Sequence, residues 1–219
     1  MQISGLIKNS FVDYPGEVSI VIFTPFCNMN CFYCHNRQLI ENPPAMYDEE
    51  EILKFIVSRV GLIEAVVISG GEPTLQKDLV SFIKKIKSLG FLVKLDTNGS
   101  NIDVVKELIS NKLIDYIAID YKASLNKYKE ITGYSESFKV LETINYCRSS
   151  CINYEVRTTL CPTLTMKDID IMNKELGNVK LHNYNNYRVP ELYNKEDEKR
   201  IRSPHLSVEE ILKETNIKN

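Results

Sequence analysis

The run Cys27-Asn28-Met29-Asn30-Cys31-Phe32-Tyr33-Cys34 places three thiols at C-x3-C-x2-C spacing, directly after an apolar stretch over 18–23. Thiolates are the usual ligands of iron–sulfur clusters, and three of them around one corner leave one metal position without a protein ligand. An open metal position is where chemistry can happen. The same thiols could bind zinc if a fourth ligand lay nearby, and His35 follows Cys34 directly. Structural zinc sites, however, usually assemble two separated ligand pairs and close all four positions, and no second C-x2-C pair exists downstream.

Three further polar groups stand out. In Ser69-Gly70-Gly71-Glu72-Pro73 the glycines let the backbone approach a ligand without Cβ interference, and carbonyls and Glu72 offer acceptors for an ammonium; a plain β-turn is the alternative. Leu95-Asp96-Thr97-Asn98-Gly99 and Asp120-Tyr121-Lys122 each carry a carboxylate at the end of an apolar run. Two nearby carboxylates repel, so a cation or the Lys122 ammonium is a sensible neutraliser; the alternative is that Asp96 and Asp120 cap the helices that follow. Cys147, Cys151 and Cys161 lack the tight spacing of common cluster loops and read as small buried thiols. Of the three histidines, His35 is constrained by the cysteine loop, His182 could line a cavity, and His205 lies in the tail.

Elements must bring these groups together. Short runs rich in Val, Ile and Leu alternate with longer amphipathic segments, the pattern of repeated βα units around a parallel sheet. Strands are expected at 18–24, 65–69, 92–96, 116–120, 153–160 and 179–184, and helices at 48–59, 76–89, 102–110, 137–150 and 167–176. Gly90 stops the second helix. A last helix, 208–216, opens with Ser207 and carries Glu210 three residues on, a capping-box signature. Six right-handed βα units can curl into an open, partial barrel, and parallel α/β folds bind ligands at the carboxyl ends of their strands. Those ends are where the unusual residues fall.

The chain has 219 residues, 43% of them hydrophobic, enough for one core and one domain. With 27 Lys and Arg against 29 Asp and Glu, the net charge is −2, which gives no global reason to bind nucleic acid or an anionic membrane. No stretch approaches a membrane span, and no secretory signal is visible, so a cytoplasmic protein with reduced thiols is expected.

With Tyr33 immediately before its last cysteine, the loop resembles the signature of the radical S-adenosylmethionine (SAM) superfamily. The resemblance implies a [4Fe–4S] cluster on Cys27, Cys31 and Cys34, whose fourth iron binds the amino and carboxylate groups of SAM, with Tyr33 among the cofactor contacts. Ser69 to Pro73 is similar to the family's glycine-rich segment at the methionyl amino group, giving Gly70, Gly71 and Glu72 that role. Asp96 to Gly99 and Asp120 to Lys122 look like paired segments of glycyl-radical-enzyme activating proteins. Carried over, they make Asp96, Thr97 and Asp120 candidate ligands of a monovalent cation, and Asn98 and Lys122 contacts to SAM or a substrate peptide. Arg157 reaches SAM or the substrate backbone on this reading, or makes an ordinary salt bridge.

Within the superfamily the chain resembles the anaerobic ribonucleoside-triphosphate reductase activating proteins, related to the pyruvate formate-lyase activating enzymes. The match runs from Asp13-Tyr14-Pro15-Gly16 to Tyr154-Glu155-Val156-Arg157-Thr158-Thr159 and thins after Lys180. It implies an α/β fold, a partial (β/α)6 barrel with outer helices: one radical SAM domain over 1–219, with a core of about 16–186 and a tail and helix over 187–219. It implies one cluster, since no cysteine lies between Cys34 and Gly70. The implied activity is reductive cleavage of SAM to methionine and a 5′-deoxyadenosyl radical, which abstracts hydrogen from a backbone glycine of a partner glycyl radical enzyme. The implied partners are that enzyme's glycine loop and a low-potential electron donor such as flavodoxin or ferredoxin. Two other readings remain: a radical SAM enzyme acting on a small molecule, such as a deazapurine-forming synthase, and a non-catalytic iron–sulfur or zinc-binding module.

Overall fold

The computed structural model describes residues 1–41, 43 and 47–215. Seven strands form one sheet in the order β1 to β7, with every strand beside its sequence neighbour. They are β1 (Gly5–Tyr14), β2 (Glu17–Thr24), β3 (Ala65–Gly70), β4 (Leu92–Thr97), β5 (Tyr116–Asp120), β6 (Asn153–Thr159) and β7 (His182–Asn185). β2 to β7 run parallel, and β1 pairs antiparallel with β2. The result is a half-barrel: the expected six parallel strands plus one antiparallel edge.

β1 is absent from the sequence-based reading because it does not look like a core strand. Its central residues are exposed, its register with β2 shifts twice, and it carries Lys8, Asn9 and Asp13 among its apolar positions. β7 begins three residues later than expected. Its ladder pairs Val156 with His182, while Lys180 and Leu181 are exposed outside it.

The outer layer is α1 (Arg37–Glu41), α2 (Glu49–Val57), α3 (Leu79–Ser88), α4 (Ile102–Ser110), α5 (Leu125–Thr132), α6 (Phe138–Ser149) and α7 (Met166–Leu176). Two short helices, α8 (Glu198–Ile201) and α9 (Val208–Thr215), lie in the tail. The expected end of α9 at Asn216 falls outside the described residues. Its capping box is built: Ser207 N and Oγ both donate to the Glu210 carboxylate, at 2.7 and 2.9 Å. α5 was not expected. Its Asn, Lys and Glu residues hide a buried side formed by Tyr128, Ile131 and Thr132.

Side chains alternate across each strand. One face of the sheet presents Ile20, Ile22, Ile68, Leu95, Ile119 and Val156 to the helices, all fully buried in the main core. Burying each such side chain contributes roughly 1.5–3 kcal/mol. The inner face is apolar on β2 and β3, where Val21 and Val67 pack with Tyr14. It turns polar on β4 to β6, where Lys94, Asp96, Glu155 and Arg157 stand in register positions opposite to Leu95 and Val156. No helix among the described residues is long and apolar enough to cross a membrane.

His182 does not line the cavity, contrary to the expectation. It packs 4.3 Å from the Tyr184 ring and shares a 2.9 Å hydrogen bond with Thr158 Oγ1. Burial lowers its pKa to about 4. A group depressed in the folded state but near 6.5 when unfolded gives stability that is present above pH 6.5 and lost as pH falls through 4. Acid unfolding followed by circular dichroism should show that loss, on the order of 3 kcal/mol, and His182→Gln should flatten the curve between pH 6.5 and 4. An unchanged slope in that variant would remove His182 from the acid response.

Candidate functional site

The cysteine loop leaves the end of β2 under conformational constraint. Phe26, just before Cys27, has φ +67, a left-handed value that a bulky residue rarely adopts. It is held there from two sides: its N–H donates to Leu39 O at 2.9 Å, and its carbonyl accepts from Glu72 N at 2.7 Å. Further along, Asn30 N donates to Thr132 O at 2.8 Å and Phe32 N to Ile131 O at 3.4 Å, so the C-terminal turn of α5 clasps the loop. The buried Arg37 guanidinium donates to Asn30 from the other direction. Cys34 N closes a turn onto Cys31 O at 3.1 Å.

All three thiols open on a cavity of about 280 Å³ at the carboxyl end of the sheet. The strand ends bring the other candidates to it: Gly70 and Gly71 from β3, Asp96, Thr97 and Asn98 from β4, Asp120 and Lys122 from β5, and Arg157 from β6. Tyr33 lines it as well, with a buried hydroxyl that has no hydrogen-bond partner.

Glu72 stands apart from the cavity. Its carboxylate is fully buried and accepts four hydrogen bonds: from Thr74 N at 3.1 Å, Thr74 Oγ1 at 2.6 Å, Thr97 Oγ1 at 2.7 Å and Asn98 N at 2.7 Å. With its lone pairs spent this way, Glu72 ties the end of β3 to the end of β4 rather than presenting an acceptor to a ligand ammonium.

The glycines are required by approach distances. A Cβ on Gly71 would lie 1.9 Å from the Phe26 carbonyl oxygen, and one on Gly70, whose φ is +121, would lie 2.3 Å from Thr24 N. The β3 loop and the cysteine loop therefore touch backbone to backbone.

The polar inner face is an alternating run of charges. Lys94 Nζ lies 3.3 Å from Glu155 and 3.6 Å from Asp96. Arg157 bridges Asp96 at 3.3 Å and Asp120 at 3.0 Å, and Lys122 Nζ meets Asp120 at 3.1 Å. Burial alone raises the Asp120 pKa, but the Lys122 and Arg157 charges outweigh it and hold the carboxyl at about 2. Burial likewise works against a charged Lys122, yet Asp120 keeps it firmly an ammonium. Neither aspartate caps a helix: Asn101 precedes α4 and Ser124 precedes α5.

In this structure Asp96, Thr97 and Asp120, the candidate ligands of a monovalent cation, are engaged by protein groups, and only the buried Asp96 Oδ1 has no hydrogen-bond partner. Both carboxylates already have protein cations as partners, and the Thr97 hydroxyl is directed to Glu72. Among the described residues, no three His, Cys, Asp or Glu side chains converge as a single metal ion would require. The closed zinc site that the spacing allowed is likewise not assembled. A [4Fe–4S] cluster makes a different demand, one thiolate at each of three separate irons, and three thiols along one cavity wall fit it. Burial pushes the Cys27 thiol up to about 11 and the Cys31 thiol to about 12, and raises Cys34 too, while Lys122 opposes the rise at all three. Such thiols need the positive charge of iron to ionise near neutral pH.

Sequence reasoning did not identify several residues at the site. Asn28 bonds Asn98 and Ser100, each at 2.9 Å. Asn186, Tyr187 and Arg188 line the cavity from the tail. The Tyr187 ring stands edge-on to Tyr33, with centroids 6.5 Å apart, and its hydroxyl donates to Ile201 O at 3.1 Å. Arg200 lies over the Phe32 ring at 3.8 Å and pairs with Glu130 at 3.1 Å. The tail thus packs on the cysteine loop, and its polar, aromatic composition carries no periodic signal that would announce it.

A family model described as "Radical SAM superfamily" matches residues 21–175. Over 207 residues the chain is 40% identical to a "Putative glycyl-radical enzyme activating enzyme" of Methanocaldococcus jannaschii, covering 90% of this chain and 84% of that one. It is 31% identical over 153 residues to a "Probable GTP 3',8-cyclase" of Pyrococcus abyssi, covering 69% of this chain and 49% of the cyclase, so it spans about half the length of that relative. Among solved structures, SuiB of Streptococcus suis bound to S-adenosylmethionine matches with a TM-score of 0.63 at 14% identity, covering 89% of this chain and 49% of that one, a likeness of fold. A matching family model over most of the chain and a relative aligned along nearly all of it agree with the half-barrel and its thiol-lined mouth. The chain belongs to the radical SAM superfamily and is an enzyme of that type.

Proposed function

We propose that the chain, acting as one domain in the cytoplasm, is an activase that installs a glycyl radical on a partner enzyme, with anaerobic ribonucleoside-triphosphate reductase as that partner. One observation carries the reading: Cys27, Cys31 and Cys34 share a cavity with the backbone of Gly70 and Gly71 and with Asn98, Lys122 and Arg157. The relative named as a glycyl-radical enzyme activating enzyme supports the choice of substrate.

When bound, a [4Fe–4S] cluster and SAM supply one-electron cleavage of SAM and the hydrogen abstraction that follows. In this reading the three cysteines hold the cluster. Gly70, Gly71 and Tyr33 line the cavity beside the thiols and would contact the methionyl end of SAM there. Asn98 and Lys122 contact SAM or the incoming peptide. Asp96 and Asp120 keep the Arg157 guanidinium and Lys122 ammonium fixed, so that donors for a carboxylate or a peptide carbonyl are in place before the ligand arrives. Tyr187 and the tail pack against the aromatic side chains of the cysteine loop and hold it in place. Flavodoxin or ferredoxin would deliver the electron.

The 31% identical cyclase relative favours a second reading, a small-molecule substrate at the same site. Anaerobic reconstitution with iron and sulfide, then electron paramagnetic resonance of the dithionite-reduced protein with and without SAM, tests the shared chemistry. A [4Fe–4S]+ signal that changes on adding SAM is expected, and a signal indifferent to SAM would overturn it. Adding a purified anaerobic ribonucleoside-triphosphate reductase separates the two substrates. The activase reading expects a protein glycyl radical formed with 5′-deoxyadenosine; 5′-deoxyadenosine formed with GTP but not with the reductase would favour the small molecule.

A further inference from the structure

We propose that Asn98 is a positioning residue for the cluster: its side-chain N–H donates to the Cys27 sulfur, and so fixes that ligand and raises the reduction potential. This role is separate from any contact with SAM and rests on the reading that the three thiolates hold a [4Fe–4S] cluster.

Asn98 is 4% exposed, and both its amide nitrogen and its amide oxygen have partners. Its Nδ2 lies 3.7 Å from Cys27 Sγ and 2.9 Å from Asn28 Oδ1. Its Oδ1 accepts from Ser100 N at 2.9 Å, and Asn28 Nδ2 donates to Ser100 Oγ at 2.9 Å. Reversing the amide would put its oxygen against the sulfur and its nitrogen against a backbone N–H, so the network selects the orientation in which nitrogen faces Cys27. The backbone of Asn98 is pinned in turn by the buried Glu72 carboxylate at 2.7 Å. A chain of hydrogen bonds thus runs from the β3 loop through the β4 loop to a cluster cysteine.

Cys27 also accepts from Met29 N at 3.4 Å, so one ligand sulfur has two N–H donors. Reduction adds an electron whose density is shared with the thiolate sulfurs, and N–H donors stabilise the more negative state; hydrogen bonds to the sulfurs are among the levers that set cluster potentials. The donor from Met29 is backbone and cannot be removed by substitution. The donor from Asn98 can.

The test is a redox titration of the reconstituted protein without SAM, followed by electron paramagnetic resonance, on wild type, Asn98→Ala and Asn28→Ala. Asn98→Ala removes the donor, and at a fixed solution potential near the wild-type midpoint it should show a ratio of reduced to oxidised cluster about fivefold lower. Asn28→Ala leaves the donor but frees it to turn, and should shift the ratio in the same direction by less. A role confined to folding would lower cluster content and leave the midpoint of the clusters that form unchanged. Equal midpoints in wild type and both variants overturn the inference while leaving the function intact; a wild-type protein that takes up no cluster overturns both. If Asn98→Ala folds but does not load, the shift in Asn28→Ala decides.

Discussion

Replacing Cys31 with alanine is expected to abolish cluster binding and SAM cleavage together while leaving the fold nearly as stable as before. Cys31 is the middle thiol of the loop, 7% exposed, between the turn closed by Cys34 N and the α5 carbonyls that hold Asn30 and Phe32. Two remaining thiolates do not hold a cubane in the geometry that leaves one iron open, so production of 5′-deoxyadenosine should fall to background, a loss of at least about 10⁶-fold if the enzyme's acceleration is ordinary. The stability cost is small by comparison, about 1 kcal/mol, because one sulfur atom leaves little empty volume. Iron and sulfide content, the visible absorbance of the reconstituted protein and a chemical denaturation curve read the three quantities separately. SAM cleavage retained in the variant would sink the assignment of this loop, whatever the substrate.

The second large effect is expected from Gly71→Ala, which introduces a single methyl group. Its Cβ would meet the Phe26 carbonyl oxygen at 1.9 Å and the Phe26 carbonyl carbon at 2.6 Å. Both are backbone atoms of the residue that launches the cysteine loop, and neither can swing aside as a side chain would. To admit the methyl group, the β3 loop must retreat and stretch the bonds Glu72 N to Phe26 O, at 2.7 Å, and Gly71 N to Thr24 O, at 2.8 Å. Glu72 would then lose its aim at Thr97 and Asn98. A loss of about 3 kcal/mol or more is expected, in the range reserved for mutations that break buried networks, together with SAM affinity weakened beyond detection. Urea unfolding measures the first and calorimetric titration of the reconstituted protein the second. A variant within about 1 kcal/mol of wild type that binds SAM normally would mean that the two loops are not held in contact.

Much of the site is legible in the sequence, and the reason is geometric. In parallel sheets the strand ends are recognisable where an apolar run stops, and Cys27, Gly70, Asp96 and Asp120 stand at four such stops. What a sequence does not supply is the direction of a side chain. Glu72 reads as a ligand acceptor and is the bracket between two loops; Asp96 and Asp120 read as partners for a cation, and the cation the structure gives them both is the Arg157 guanidinium. The fold follows the same division. β2 to β6 and most outer helices announce themselves through burial on both faces or along one side. β1 and α5 do not, because an edge strand with exposed central residues and a polar eight-residue helix present too few apolar positions to set a period. The tail is illegible for another reason: Tyr187 and Arg200 act through rings and carbonyls of residues far away in sequence.

The clasp on the cysteine loop also has a biosynthetic meaning. Because every strand lies beside its sequence neighbour, the sheet can assemble in the order in which it leaves the ribosome. Cys27, Cys31 and Cys34 emerge with β2, whereas the carbonyls of Ile131 and Thr132 that grip their loop, and the Arg200 that roofs Phe32, are synthesised much later. Nascent chains therefore pass through a stage in which the thiols are accessible and the clasp does not yet exist. Until those later residues are made the loop lacks their hold, and its folded shape is therefore among the last features of the chain to be set.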